Sequence, residues 1–362
     1  MAHNLLGQRF YNRSSKPAWH RLGLNAGDTD YRTAREAVEA IGGIYHVEKR
    51  EITFLLSGVA TPTGYSFIVR SPIAEDPHER IFGTPVPNDY EIITPDQAVT
   101  IYDESVKDAS GRTAPVETAG VLGKGERLFI TTRLPFTMSI RGDEVVSYLL
   151  FDNPMAHGNA AAAYVTPVRT VCQNTLIAGI AEASEKRKIP HHKGAARVMA
   201  EWLAGIYERA LAASGILQDA YNKLAQTRIN EDQVQWVVDA LYPDPKQPSF
   251  KDTATRSMED REKWYEYGLG YAQQQRKIVK DLFDGKGVGM DTDAVKGTAF
   301  GLYNAAAEFE SYRRSRGGED KSTESLIAGE RARRIRTAFA LCEVVDRYET
   351  VNASVVARKV FA

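Results

Sequence analysis

Cysteine is nearly missing: the 362 residues contain two, Cys172 and Cys342. Two thiols cannot build a disulfide framework. Both fall in segments with a helical pattern, so buried, reduced thiols in a cytosolic protein are the expectation. No run of about 18 apolar residues occurs, so no membrane span is expected. Met1 to Lys16 is polar and rich in Asn, Arg and Ser, so no signal peptide is expected either. An excess of one charge is also missing: 46 Lys and Arg against 47 Asp and Glu leave a net charge of −1. Whole-chain electrostatics therefore give no argument for nucleic acid, and any such binding rests on a local patch. We find no internal repeat and no low-complexity tract.

What is present is an ordinary globular composition, 43% hydrophobic and 26% charged, long enough for a large core in one composite domain or two. Thr33-Ala34-Arg35-Glu36 is a capping box that opens a helix to Ile41, with Gly42 as its end. Ile52, Phe54 and Leu56 alternate, as do Tyr65, Phe67 and Val69, which predicts a hairpin turning at Thr61-Pro62-Thr63-Gly64. Thr94-Pro95-Asp96-Gln97 opens a second helix. From Val116 the pattern is strands: Val116 to Leu122, Arg127 to Arg133, Met138 to Arg141, Val145 to Phe151, and an extended piece from Asn159 to Val165. Gly123-Lys124-Gly125 and Gly142-Asp143 read as turns. A helix to about Glu185 follows. Antiparallel sheets of this kind leave one face for water or a ligand.

From Lys193 the chain reads as helical. Val198, Trp202, Ile206, Ala210, Ala213 and Leu217 form one stripe. Asn230 and Ser257 are caps. Asp284 to Asp293 is a glycine-rich connection, and the last two helices span roughly 294–314 and 323–349, the second with Ile335, Phe339, Cys342 and Val345 in line. The fold class expected is α+β: an antiparallel sheet packed by helices over residues 1–192, with an N-terminal arm, and a helical part over 193–362.

The densest positive cluster is the seam Lys186-Arg187-Lys188-Ile189-Pro190-His191-His192-Lys193, with Arg197 beyond it. It suits a phosphate backbone, or else a solvated helix end whose cations favour the dipole. Arg133 and Arg141 join it if they fold onto the same side. Arg169 stands between Val168 and Val171, where an isolated arginine wants a phosphate or a carboxylate such as Asp143, Glu144 or Asp152. Gln173, Asn174 and Thr175 either offer an anion site at a helix start or simply cap it. Tyr65, Phe67, Phe129, Tyr148 and Tyr164 are candidates for base stacking or for the core.

Enzymatic constellations are weak. Cys172 with His157 makes a thiol–imidazole pair only if the fold joins them. His191-His192 with Cys172 does not match zinc spacing. Asp143, Glu144 and Asp152 would hold magnesium in a nuclease, but turn and strand ends explain them. Asp284-Gly285-Lys286-Gly287-Val288-Gly289 lacks the lysine-serine ending of a phosphate loop. No cofactor and no metal are expected.

Three segments carry a family likeness: Pro17-Ala18-Trp19-His20-Arg21-Leu22-Gly23, Thr166-Pro167-Val168-Arg169-Thr170-Val171-Cys172-Gln173-Asn174-Thr175-Leu176, and Gly297-Thr298-Ala299-Phe300-Gly301-Leu302-Tyr303-Asn304-Ala305. In this order they resemble a phage/plasmid-like family defined by a domain of unknown function, family 932. The family often has glycine where Arg21 stands and tryptophan where Phe300 stands. The resemblance implies a mobile-element origin and a bacterial cytoplasm. Strands followed by a helix look like the core of single-strand annealing proteins and recombination mediators, an analogy at the level of fold. That analogy implies single-stranded DNA as partner, strand annealing, phage or host recombination proteins as further partners, and a homo-oligomer in a ring or filament. The expected contact is the Trp19-His20 arm or the C-terminal helices. Arg169, Lys186, Arg187, Lys188, Lys193, Arg133 and Arg141 are the expected nucleic-acid contacts, with no catalytic residue. The alternatives are a non-catalytic assembly or protein-interaction factor of a mobile element, which the near-neutral charge favours, and a metal-dependent nuclease.

Overall fold

The computed structural model describes residues 5–13, 31–108, 110–157, 160–169, 187–189, 191, 193–248, 257–313 and 329–359. Among the described residues the first part holds ten strands and two helices: β1 (Leu5–Asn12), α1 (Ala34–Ala40), β2 (Val47–Leu56), β3 (Val59–Arg70), β4 (Arg80–Ile81), β5 (Val86–Pro87), α2 (Pro95–Ser105), β6 (Val116–Leu122), β7 (Arg127–Ile140), β8 (Asp143–Pro154), β9 (Ala161–Arg169) and β10 (Arg187–Ile189). The rest is helical: α3 (Ala195–Leu203), α4 (Ile206–Gln226), α5 (Glu231–Leu241), α6 (Met258–Asp281), α7 (Ala299–Glu308), α8 (Glu330–Glu343) and α9 (Ala353–Lys359). The fold is therefore α+β, with antiparallel sheets in the first half and a mostly helical second half.

The caps read from sequence form. Thr33 Oγ1 accepts the Glu36 N–H at 3.1 Å, and the Glu36 carboxylate accepts the Thr33 N–H at 3.2 Å. Thr94 with Gln97 and Asn230 with Gln233 make the same reciprocal pair, and Ser257 caps α6. The large sheet runs β1-β6-β7-β8-β9-β10. Its first face carries Val116, Ile130, Met138, Leu149, Phe151 and Val165, which share one buried cluster with Ala34, Ala37 and Val38 of α1 and with Ala210, Ala213 and Leu217 of α4. That cluster continues through Tyr221, Phe300, Tyr303 and Phe339 into the helices.

Four readings need correction. The hairpin turns at Ser57-Gly58, not at Thr61–Gly64; both turn residues have positive φ, 51° and 82°, as a two-residue turn of twisted strands requires. Arg127–Ile140 is one strand, not two. A register shift between Arg133 and Thr137 takes up Pro135, which has no N–H to give a ladder. The stripe from Val198 to Leu217 belongs to two helices, because Gly205 at φ 70° ends the first. Polar Met1–Lys16 contains strand β1, whose Phe10 and Tyr11 pair with Gly120 and Ala119.

The second face of the sheet is not free. Phe10, Leu122, Phe129, Val146, Tyr148, Leu150, Ala162 and Val168 form a separate cluster there, none more than 8% exposed. The β2–β3 hairpin is the reverse. Both strands leave the body, and the stretch from Glu51 to Tyr65 is largely exposed on either face.

Candidate nucleic-acid interface

The basic positions are distributed over the large sheet by its register. Arg187 stands opposite Ala163 on β9, and Ala163 opposite Phe151 on β8. Arg133 stands opposite Tyr148 on β8. Arg169 stands opposite Val145, and Arg141 lies in the turn that precedes Asp143. Along β8 the first three rows fall at 151, 148 and 145, about 10 Å apart at 3.3 Å per residue; rows 151 and 145 lie on the face of Phe151 and Val145, and row 148 lies on the opposite face. Lys188 stands opposite Ala162 at the β10 edge, and Lys193 is exposed two residues before α3. Lys186 lies outside the described residues, as does the end of the signature segment from Thr170 to Leu176 with Cys172. Trp19 and His20 also lie outside them.

The environments differ. Arg133 is exposed beside Tyr148, whose phenol burial pushes up to about 12; Glu117 adds to the rise and Arg133 opposes it. Arg141 donates from Nη1 to the Ala225 carbonyl at 3.1 Å, and its N–H to Asn222 Oδ1 at 3.3 Å, so it also closes the end of α4. His191 is turned inward. It is 2% exposed, stacks on Tyr90 at 5.0 Å, and has Nδ1 3.0 Å from the Glu91 carbonyl. Glu91 in turn accepts the N–H of Gly194 and of Ala196, tying the seam to the start of α3. Arg197 pairs with Glu201 at 2.5 Å on an exposed helix face, the solvated reading of that cation.

Several candidates are corrected by position. Phe129 is fully buried and Tyr148 is 6% exposed, so neither is a solvent-facing stacking platform. Tyr65 is half exposed but lies on the β2–β3 hairpin. Asp143 and Asp152 sit at opposite ends of β8, nine residues or about 30 Å apart. Asp143 accepts the Thr292 hydroxyl at 3.1 Å, and Asp152 pairs with Arg127 at 3.4 Å. They do not form one carboxylate centre. Among the described residues no group of three or more His, Cys, Asp or Glu is placed to hold a metal. His157 lies 3.0 Å from the Thr84 hydroxyl.

One family model, that of a domain of unknown function called DUF932, matches residues 84–338, more than two thirds of the chain. The chain belongs to the DUF932 family. The DUF932 segment begins just before β5 and ends within α8, so β1, α1 and the β2–β3 hairpin precede it. No curated protein and no solved structure matches the chain. No described helix is long and apolar enough to cross a membrane.

Sequence reasoning missed a second basic site near the end of the DUF932 segment. Arg333 and Arg334 of α8 and Arg358 of α9 line an open cleft of about 580 Å³ with Asp239, Leu241 and Pro243. Its acids are already engaged: Asp239 pairs with Arg276 at 2.9 Å and Glu330 with Arg334 at 2.6 Å. Arg331-Ala332-Arg333-Arg334-Ile335-Arg336 was visible as a run, but its apolar spacing drew attention to the core face alone.

Proposed function

We propose that this protein binds single-stranded DNA and anneals complementary strands, as a non-enzymatic recombination protein of a phage, plasmid or integrated element in a bacterial cytoplasm. The observation that carries this reading is a set of cations around the antiparallel sheet: Arg187 and Lys188 on the edge strand β10, Lys193 exposed before α3, and Arg133 exposed opposite Tyr148. A polyanion that follows the β10 edge meets Arg187 and Lys188, and each phosphate neutralised releases counterions. Lys186, next to Arg187 in the sequence, is proposed to add to the same contact. The likeness to annealing proteins remains one of strand order in an α+β core.

The test is a titration of labelled single-stranded oligonucleotide against duplex at several salt concentrations. Single strands bind more tightly, and Lys186→Glu/Arg187→Glu/Lys188→Glu lowers the salt slope by about 2, at roughly 0.7 per phosphate contact on a single strand. An unchanged affinity and slope in that variant removes the β10 edge from the site. A second reading, an assembly factor without a DNA role, draws on the net charge of −1 and the exposed apolar hairpin. Wild-type protein that binds no single strand at low salt selects it.

A further inference from the structure

The β2–β3 hairpin carries exposed apolar surface among the described residues. Phe54, Leu55, Leu56, Val59 and Tyr65 are 48, 75, 59, 66 and 50% exposed. Leu56 stands opposite Val59, and Phe54 two residues along shares their face; Leu55 stands opposite Ala60 on the other. No charged residue occurs between Ile52 and Tyr65. Among the described residues β2 pairs only with β3, so its outer edge presents unpaired N–H and C=O groups. Soluble proteins protect such edges with charge, proline or a covering element. Here Pro62 lies on β3, and the charges at the base of β2 are engaged elsewhere. Lys49 donates to the carbonyls of Asn88 and Tyr90, and Arg50 pairs with Glu48 and Glu79.

We infer that this hairpin is a self-association arm: the outer edge of β2 pairs antiparallel with the β2 edge of a second copy of this chain. The tip offers a foreign partner no charge to select. An identical edge related by a two-fold axis is complementary by construction: where an N–H of one copy donates to a C=O of the other, the symmetry-related bond runs back. Phe54, Leu55 and Leu56 of β2 flank the seam and amount to nearly two residues' worth of exposed apolar surface, on the order of 350 Å² per copy at roughly 200 Å² for a large side chain. Two copies together offer about 700 Å² beside the paired backbone, in the range of small, concentration-dependent interfaces below about 1,200 Å². The arm precedes the DUF932 segment, so this association does not rest on the DNA-binding reading.

The experiment uses full-length protein and light scattering. The mass of wild type rises with concentration toward twice that of one chain. Leu55→Glu/Leu56→Glu and Leu55→Lys/Leu56→Lys each run as monomers with unchanged circular dichroism, because both side chains are exposed in the single chain. Mixing the two variants restores the rise in mass. A monomeric wild type, a variant that keeps the wild-type mass, or a mixture that stays monomeric overturns the inference. So does a variant of unchanged mass that has lost single-strand binding, since the tip then contacts DNA rather than a second arm.

Discussion

The large sheet and the β2–β3 arm are both antiparallel, and both contain two-residue turns with positive φ at each turn residue, Arg141-Gly142 and Ser57-Gly58. Their relation to water is opposite. In the large sheet even the second face is closed, with Phe129 at 0% and Leu150 at 0% exposure. In the arm, residues of the same apolar type on both faces stay in water. Alternation of apolar and other residues, which governs the first region, says little about the second. An apolar strand in solvent is a statement about a partner, whereas an apolar strand under cover is a statement about the core.

The comparison breaks most sharply at a single side chain. Phe129→Ala empties a fully buried site and is expected to cost about 4 kcal/mol. Leu55→Ala on the arm is expected to change monomer stability by less than about 0.5 kcal/mol. Urea unfolding of the two variants at equal concentration checks both, and equal losses would erase the distinction between the regions.

A smaller effect is expected where the regions meet. Arg70, at the end of β3, is fully buried. It donates from Nε to the Lys124 carbonyl at 2.8 Å, from Nη1 to the Ser71 carbonyl at 3.0 Å, and from Nη2 to Asp76 at 2.5 Å. The base of the arm is thereby joined to the β6–β7 turn. Arg70→Ala leaves those acceptors unmet and is expected to cost about 2–3 kcal/mol. The urea midpoint measures the loss, and limited proteolysis measures new cleavage near residues 70 and 124; an unchanged midpoint refutes the joint.

The smallest effect is pH-dependent. Hydrogen bonds from Arg80, with Arg70 nearby, hold the Asp76 carboxyl at about 2, below its ordinary 3.8. A depressed carboxylate contributes stability that is present above its unfolded value and lost as pH falls through its folded value. The stabilisation at the arm base is therefore full above about pH 4 and declines toward pH 2. Asp76→Asn should flatten the dependence of the urea midpoint on pH in that window, and a variant with the wild-type slope would show that Asp76 does not carry it.

Local chemistry made parts of this fold legible and longer-range chemistry hid the rest. Thr33, Thr94, Asn230 and Ser257 were readable because a cap needs only its next three residues. The hairpin turn was misplaced because Thr61-Pro62-Thr63-Gly64 has turn composition, whereas Ser57-Gly58 is selected by strand twist. Gly205 divides α3 from α4 by a single left-handed residue that a helical stripe conceals. Of the candidate contacts, Arg133 and Lys193 are exposed as a binding role requires. His191 is not, because its partners Tyr90 and Glu91 lie a hundred positions earlier. The cleft of Arg333, Arg334 and Arg358 depends on α5, α8 and α9 meeting, which no window of sequence reveals.

Strand β1 carries a consequence for the order of assembly. Strands β6 to β9 are joined by connections of four, two and six residues, whereas 103 residues separate Asn12 from Val116. Closing a flexible connection costs roughly (3/2)RT ln n, which is about 0.6 kcal/mol for two residues and up to about 4 kcal/mol for a hundred. The central hairpins therefore form on local terms. The outer strand waits for α1, the arm and α2 to shorten its path. During that wait the edge of β6 is a vacant seat, and on a ribosome that emits β1 long before β6, a strand made early is among the last to find its neighbour.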